Sequence, residues 1–243
     1  MRLAPLALAA VLLLSAGCGR AAEPAPAVDP VFGQKVRAYL LAHPEVIEEA
    51  YAKLQEKKKV EADAAAAKAL DQNRQALERD PRDFVANPNG KVTVTEFYDY
   101  RCPYCIAMAP RVAELIAKNP DVRFVFKELP IFGAASDRAA HAALAVKRAG
   151  GDYLGVYRDF MAAKPLDNAA IDRVLKAHNF DPALIDAEAA KAQADKQLAD
   201  VRELAGKLNI EGTPAFFVGD TMVMGADWDL LQAGITRARA AAG

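Results

Sequence analysis

"KVTVTEFYDYRCPYCIAMAPRVAELIAKNPDVRFVFKEL", residues Lys91 to Leu129, changes its periodicity twice. Lys91 to Tyr100 alternates and is β-branched, as a strand does. From Tyr104 the apolar residues recur at helical spacing until Asn119 and Pro120 stop them, and Val122 to Leu129 reads as a buried strand. The stretch is therefore a strand-helix-strand unit, with Cys102 and Cys105 at its first corner.

That corner is a chemically special place. Cys102 follows the strand directly and Pro103 suits the first helical turn, so Cys102 sits where free backbone N–H groups and the positive end of the helix dipole converge. Such an environment stabilises a thiolate. A thiol with a pKa near 8.5 is only about 3% ionised at pH 7, whereas one near 5 is about 99% ionised. Cys105 lies three residues along the same helix, within disulfide reach and a turn deeper, as a resolving thiol would. The dipeptide between them, Pro103-Tyr104, is the candidate for tuning the pair.

Two other uses of a close cysteine pair are weaker. Zinc needs about four ligands, yet there is no second pair, and His43, His141 and His178 are scattered singly. A purely structural bridge would close so short a loop that it gains little unfolded-state entropy. A redox pair leads, with no metal and no cofactor expected.

Outward from this unit, "NPNG" (Asn87 to Gly90) is a turn that opens the core. Beyond the second strand, helices are expected to start near Ser136, Asp152, Asn168 and Asp181, each with a capping residue, and Pro182 falls one residue into the last. "PAFFVGD" and "TMVMGA" then read as two short strands, and "DWDLLQAGITRARA" as a helix capped by Asp227.

Upstream, Leu3 to Ser15 is an apolar run too short to span a membrane, which takes about 20 residues, and it reads as an export signal. Either "LSAGC", ending at Cys18, is a lipidation box, or "APA" (Ala25 to Ala27) is an ordinary cleavage site. Both place the mature chain in an oxidising compartment, the periplasm, where a disulfide persists. After an Ala/Pro tether, Val36, Leu40, Ile47, Tyr51 and Leu54 form an apolar stripe at helical spacing, interrupted at Pro44. The following segment, 56–80, is rich in Lys, Glu and Ala and is expected to be a solvated helix. An unpartnered stripe beyond a solvated connector suits an oligomerisation arm. The net charge of -1 gives no footprint for nucleic acid.

"EFYDYRCPYC", "FKELPIFG" and "GTPAFFV" resemble the DsbA family of thiol-disulfide oxidoreductases, over roughly residues 83–241. The resemblance implies an α/β thioredoxin fold with a helical insertion. "VRAYLLAHPEVIEEA" extends it to the trimeric suppressor-of-copper-sensitivity C branch, also called Com1-like, and implies a homotrimer. The expected organisation is a signal and tether at 1–27, an N-terminal helical oligomerisation arm and linker at 28–80, and a catalytic domain at 81–243 with its insertion at about 134–208.

By the resemblance, Cys102 attacks, Cys105 resolves, and Thr213-Pro214 is the facing loop, with Pro214 expected in the cis form. Glu96 lies six residues before Cys102, on the strand face of Val92, Val94 and Tyr98, where a bare acid is out of character. The family's acid at that point moves protons to and from the buried thiol; an ion pair with Lys127 would make Glu96 structural instead. Implied partners are exported cysteine-containing proteins and a membrane thiol-disulfide electron-transfer protein. The resemblance favours an isomerase or reductase over a disulfide-donating oxidase. A periplasmic copper-binding role, using the thiols with Met222 and Met224, belongs to another class; two methionines so spaced on a strand more often pack a core.

Overall fold

The computed structural model describes residues 29–242, so the expected export signal and Cys18 lie outside the described residues. Two compact units are present, residues 29–57 and 58–242.

In the first unit, α1 (Pro30–Ala42) begins with Asp29, whose carboxylate accepts from Val31 N at 2.9 Å, and Pro30 needs no partner in that turn. The chain leaves helical geometry at His43, and α2 (Glu45–Glu78) starts just after Pro44. Of the apolar stripe expected from the sequence, Val36, Ile47, Tyr51 and Leu54 are exposed and Leu40 is half-buried, so most of the stripe has no cover within its own unit.

The second unit is built on a five-stranded sheet in the order β1-β3-β2-β4-β5. The strands are β1 (Phe84–Ala86), β2 (Val92–Tyr98), β3 (Val122–Glu128), β4 (Ala215–Val218) and β5 (Thr221–Met224). β2 and β3 are parallel and joined by α3 (Pro103–Lys118); every other pairing is antiparallel. Between β3 and β4 come five helices, α4 (Ala134–Arg148), α5 (Tyr153–Ala162), α6 (Asn168–Ala177), α7 (Ala183–Asp186) and α8 (Glu188–Lys207); α9 (Trp228–Ala242) closes the chain. This is a thioredoxin fold with a helical insertion.

The period-two strands divide the core into two layers. Val94, Tyr98, Phe124, Phe126, Phe216 and Val218 face α3, α5 and α9, while Phe97, Ala215 and Phe217 face the opposite side. The turn before β2 demands glycine: a Cβ on Gly90 would lie 2.7 Å from Val122 C and 2.8 Å from Asp121 O.

The solvated helix expected over 56–80 is corrected at its end. Leu70 and Leu77 are buried against Phe97, Leu129, Val201, Leu204 and Phe217. Each fully buried leucine is worth about 1.5–3 kcal/mol of transfer free energy. The last turn is also tied by backbone acceptors: Arg123 Nη1 donates to Glu78 O at 2.7 Å and Lys127 Nζ to Ala76 O. Two leucines seven residues apart share one helix face, and the sheet surface that receives them comes from distant segments.

The segment expected as one helix from Asp181 is two, because the backbone at Ala187 leaves helical geometry (φ -59, ψ 126) between α7 and α8. β1 carries no sequence signal of its own; three residues pair with β3 as Phe84↔Phe126, Val85↔Val125 and Ala86↔Phe124.

Candidate active site

Cys102 is the N-cap residue of α3, in extended geometry, with Pro103 opening the first turn. No side-chain cap competes for the first-turn N–H groups, which leaves them aimed at the thiol. The helix buries Cys105, Met108, Ala109, Val112 and Leu115, one face at spacings of three and four, and this fixes Cys105 inward. Both cysteines are buried thiols here, and Tyr104 between them is exposed.

The thiols are electrostatically unequal. The Cys102 thiol is lowered to about 5, first by a hydrogen bond from the Cys105 thiol, then by Thr213 and the backbone N–H groups of Cys105 and Tyr104, against the opposing effect of burial. Cys105 is pushed far up, chiefly by burial, then by its hydrogen bond to Cys102 and the field of Glu96. As a thiol, Cys102 Sγ donates to Thr213 O at 3.1 Å. The buried Thr213 hydroxyl has no partner in this state, which leaves it available as a donor once Cys102 is a thiolate.

Thr213-Pro214 therefore faces the pair, and the peptide bond between them is cis. Pro214 O accepts from Gly225 N at 2.8 Å, which ties this loop to the end of β5. On β5 only Val223 is buried; Met222 and Met224 share the exposed face, so the expectation that they pack the core is corrected. Among the described residues no three His, Cys, Asp or Glu side chains cluster as metal ligands would.

Glu96 is completely buried, and neither carboxylate oxygen has a hydrogen-bond partner. The ion pair with Lys127 is not formed. In register, Glu96 lies opposite Phe126 and Lys127 opposite Phe97, so the two charges project to opposite faces of the sheet. Lys127 pairs instead with Asp83. Burial holds Glu96 well above the usual carboxylate range, reinforced by Glu128 and Cys102. It is a buried acid without a hydrogen-bond partner beside the thiols.

Two buried acids at the site went unnoticed in the sequence. Asp99 braces the approach to Cys102: Oδ1 accepts from Arg101 N at 2.6 Å and Ser136 Oγ at 2.8 Å, and Oδ2 from Ile131 N at 2.7 Å and Phe132 N at 3.0 Å. It thereby fixes the loop after β3, whose Ile131 and Phe132 side chains are exposed, against the redox corner. Glu128, at the end of β3, accepts from three tyrosine hydroxyls. Like Glu96, Glu128 in "VRFVFKEL" is an acid inside a buried strand, where a bare carboxyl is out of character.

Comparison with known proteins places this geometry in a lineage. The family profile of the DSBA-like thioredoxin domain matches residues 93–235. The chain belongs to that family. Residues 32–61 match a second profile, the copper resistance protein ScsC N-terminal domain. A thioredoxin-like oxidoreductase from Silicibacter pomeroyi DSS-3 superposes with a TM-score of 0.65 at 36% identity, covering 69% of this chain and 98% of that one. Proteus mirabilis ScsC, solved in a transitional conformation, gives 0.65 at 31% identity, covering 88% of this chain and 99% of that one.

Among curated proteins, an Na(+)/H(+) antiporter NhaA 3 of Salinispora tropica is 33% identical over 145 residues, 56% of this chain. This chain spans only 22% of that antiporter's length. Among the described residues here, no helix is long and apolar enough to cross a membrane.

Proposed function

We propose that this DSBA-like chain is a thiol-disulfide oxidoreductase of exported, cysteine-containing proteins, and that it works as a disulfide isomerase or reductase. The observation that carries the reading is the inequality of the two thiols. Cys102, lowered to about 5, is the thiolate that attacks a substrate disulfide; Cys105, buried beneath it and held protonated, resolves the mixed disulfide. Attack forms a bond between Cys102 Sγ and one substrate sulfur and releases the other as a thiolate. Cys105 Sγ then displaces the bound sulfur, gives up its proton, and closes the Cys102–Cys105 disulfide.

Glu96 is proposed as the group that exchanges that proton, being buried, unpaired and within the electrostatic reach of Cys105. Thr213-Pro214 is proposed as the loop that presents backbone to a substrate strand beside the sulfurs. Pro103 and Tyr104 tune the pair from within the first helical turn.

Direction rests on the first unit. Its exposed apolar stripe matches the ScsC N-terminal profile, and copies of this chain are the partners that would cover it. Several tethered active sites can hold and retry a misbridged substrate, kept reduced by a membrane thiol-disulfide donor in the periplasm. A homotrimer, as in the resembling branch, is the assembly proposed. One observation favours disulfide donation instead: a stabilised Cys102 thiolate stabilises the reduced form and makes the pair more oxidising.

A scrambled-disulfide refolding assay separates the two. The comparison is between the mature chain and one starting at Lys58, a cut that spares Leu70 and Leu77. The expected result is that the shorter chain becomes monomeric by light scattering and loses isomerisation at least about tenfold, through lost effective concentration, while still oxidising dithiols. Two chains that isomerise equally poorly and oxidise equally well would favour the oxidase.

A further inference from the structure

Beneath the redox corner the sheet carries a second buried carboxyl in an unusual hydroxyl cage. Glu128 Oε1 lies 2.6 Å from the Tyr98 hydroxyl, 2.9 Å from that of Tyr100 and 2.8 Å from that of Tyr153. The Tyr98 hydroxyl is also 3.0 Å from Tyr100 and 2.6 Å from Tyr153. Three phenolic hydrogens thus face five oxygen-oxygen contacts, three to the carboxylate and two between hydroxyls. No arrangement of three hydrogens fills all five. A fourth hydrogen, on Glu128, has a contact waiting for it, so the cage accommodates both the charged and the neutral carboxyl.

The position of this cage relates it to the thiols. Glu96 is opposite Phe126 and Tyr98 opposite Glu128, which puts the two carboxyls on the same sheet face, one diagonal apart. Facing them are Tyr98 on β2, Tyr100 and Asp99 on the following loop, Tyr153 and Tyr157 on α5, and Cys102 and Cys105 on α3. No salt bridge reaches either carboxyl among the described residues. Their solvation differs sharply: Glu128 has three hydroxyl donors and Glu96 has none.

We propose that Glu128 is a positioning residue for the redox reaction: its tyrosine cage takes the first negative charge of the buried carboxyl pair, which leaves Glu96 carrying the proton beside Cys105. The proposal rests on the oxidoreductase reading above. Two buried like charges so close resist ionising together, so an anion at Glu128 holds the proton on Glu96. Glu128 is itself raised to about 8, by burial against the lowering effect of the hydroxyls, which places its charge change inside the working range of the pair.

The step it serves is balanced. A donor thiolate attacks Cys102 Sγ, the Cys102–Cys105 bond breaks, and its electron pair moves to Cys105 Sγ, which takes the proton of Glu96. A second donor thiolate displaces Cys102 as a thiolate and leaves as the oxidised donor; Glu96 regains a proton from solvent. The protein has gained two electrons and the donors have lost them.

The test is single-turnover reduction of the oxidised full-length protein by glutathione, from about pH 5 to about pH 10, normalised to glutathione thiolate. The wild-type rate is expected to fall at alkaline pH as Glu96 loses its proton. In Glu128→Gln that fall should move down by about one pH unit, tenfold in proton affinity, because no like charge then holds the proton on Glu96. Tyr153→Phe, which keeps the carboxyl and removes one donor, should move it the same way by less. In a Glu96→Gln background, adding Glu128→Gln should change nothing.

An active wild type whose Glu128→Gln and Tyr153→Phe profiles superimpose on its own, with only the melting temperature lowered, overturns the proposal and makes Glu128 a structural anchor. A wild type that exchanges no thiols at any pH overturns the oxidoreductase reading and this proposal with it.

Discussion

Cys105→Ala is expected to convert turnover into capture. The variant keeps the exposed approach at Tyr104 and, around Cys102, the Thr213 hydroxyl and the first-turn backbone N–H groups, so Cys102 still opens a substrate disulfide although it loses the Cys105 donor. It lacks the one sulfur placed to displace the bound substrate, and the buried position of Cys105 denies an external thiol the same line of attack. An intramolecular thiol held in reach is worth effective molarities far above any soluble thiol, so exchange should fall by at least about a hundredfold. Mixed disulfides should accumulate on Cys102, visible on a non-reducing gel and by mass spectrometry. Full turnover in this variant would mean that Cys105 does not resolve.

The second large effect is on stability, and its sign follows from the lowered thiol. In the reduced, folded protein Cys102 ionises near 5, against about 8.5 to 9 in an unfolded chain. Between these values the folded state binds fewer protons than the unfolded one, so reduced-state stability rises with pH. It is fully present above about pH 9 and is lost as pH falls through about 5. The oxidised protein has neither thiol of the redox pair to titrate and serves as the reference.

On taking the protein from about pH 7.5 to about pH 5, the melting temperature of the reduced form should drop relative to the oxidised form by on the order of 5 °C, solvent screening included. Cys102→Ser, which forms no Cys102–Cys105 disulfide, should follow the pH dependence of the oxidised wild type over this range. A wild-type difference that stays constant over this range would show that folding does not favour the thiolate.

The redox corner was legible because its signals are local. A period-two strand running straight into a helix leaves Cys102 no place but the N-cap, and Asp152 and Asp227 cap α5 and α9 as their side chains suggest, to Gly155 N and Leu230 N. What stayed hidden depends on distant residues. Leu70 and Leu77 look like isolated apolar residues in a charged helix until Phe97 and Phe217 arrive from separate strands. β1 is too short to show a pattern, and the break at Ala187 falls in an alanine-rich run without Gly or Pro at the break.

Glu96 illustrates both sides. Its face was readable from alternation, but its lack of a partner was not: Lys127 is on the neighbouring strand, and only the register, one residue out of phase, sends it to the other face and into a pair with Asp83. The cage around Glu128 joins Tyr98, Tyr100 and Tyr153 to a residue at the end of β3, contacts that no spacing in the sequence announces.

The central claim is that the fold makes Cys102 a thiolate at neutral pH. The most direct measurement is the thiolate absorbance of the reduced protein against pH, with Cys102→Ser and Cys105→Ala for assignment. Half-ionisation is expected near pH 5, moved clearly upward in Cys105→Ala because the largest lowering cause is lost, and absent in Cys102→Ser. A single transition above about pH 8, where an unperturbed thiol titrates, would contradict it.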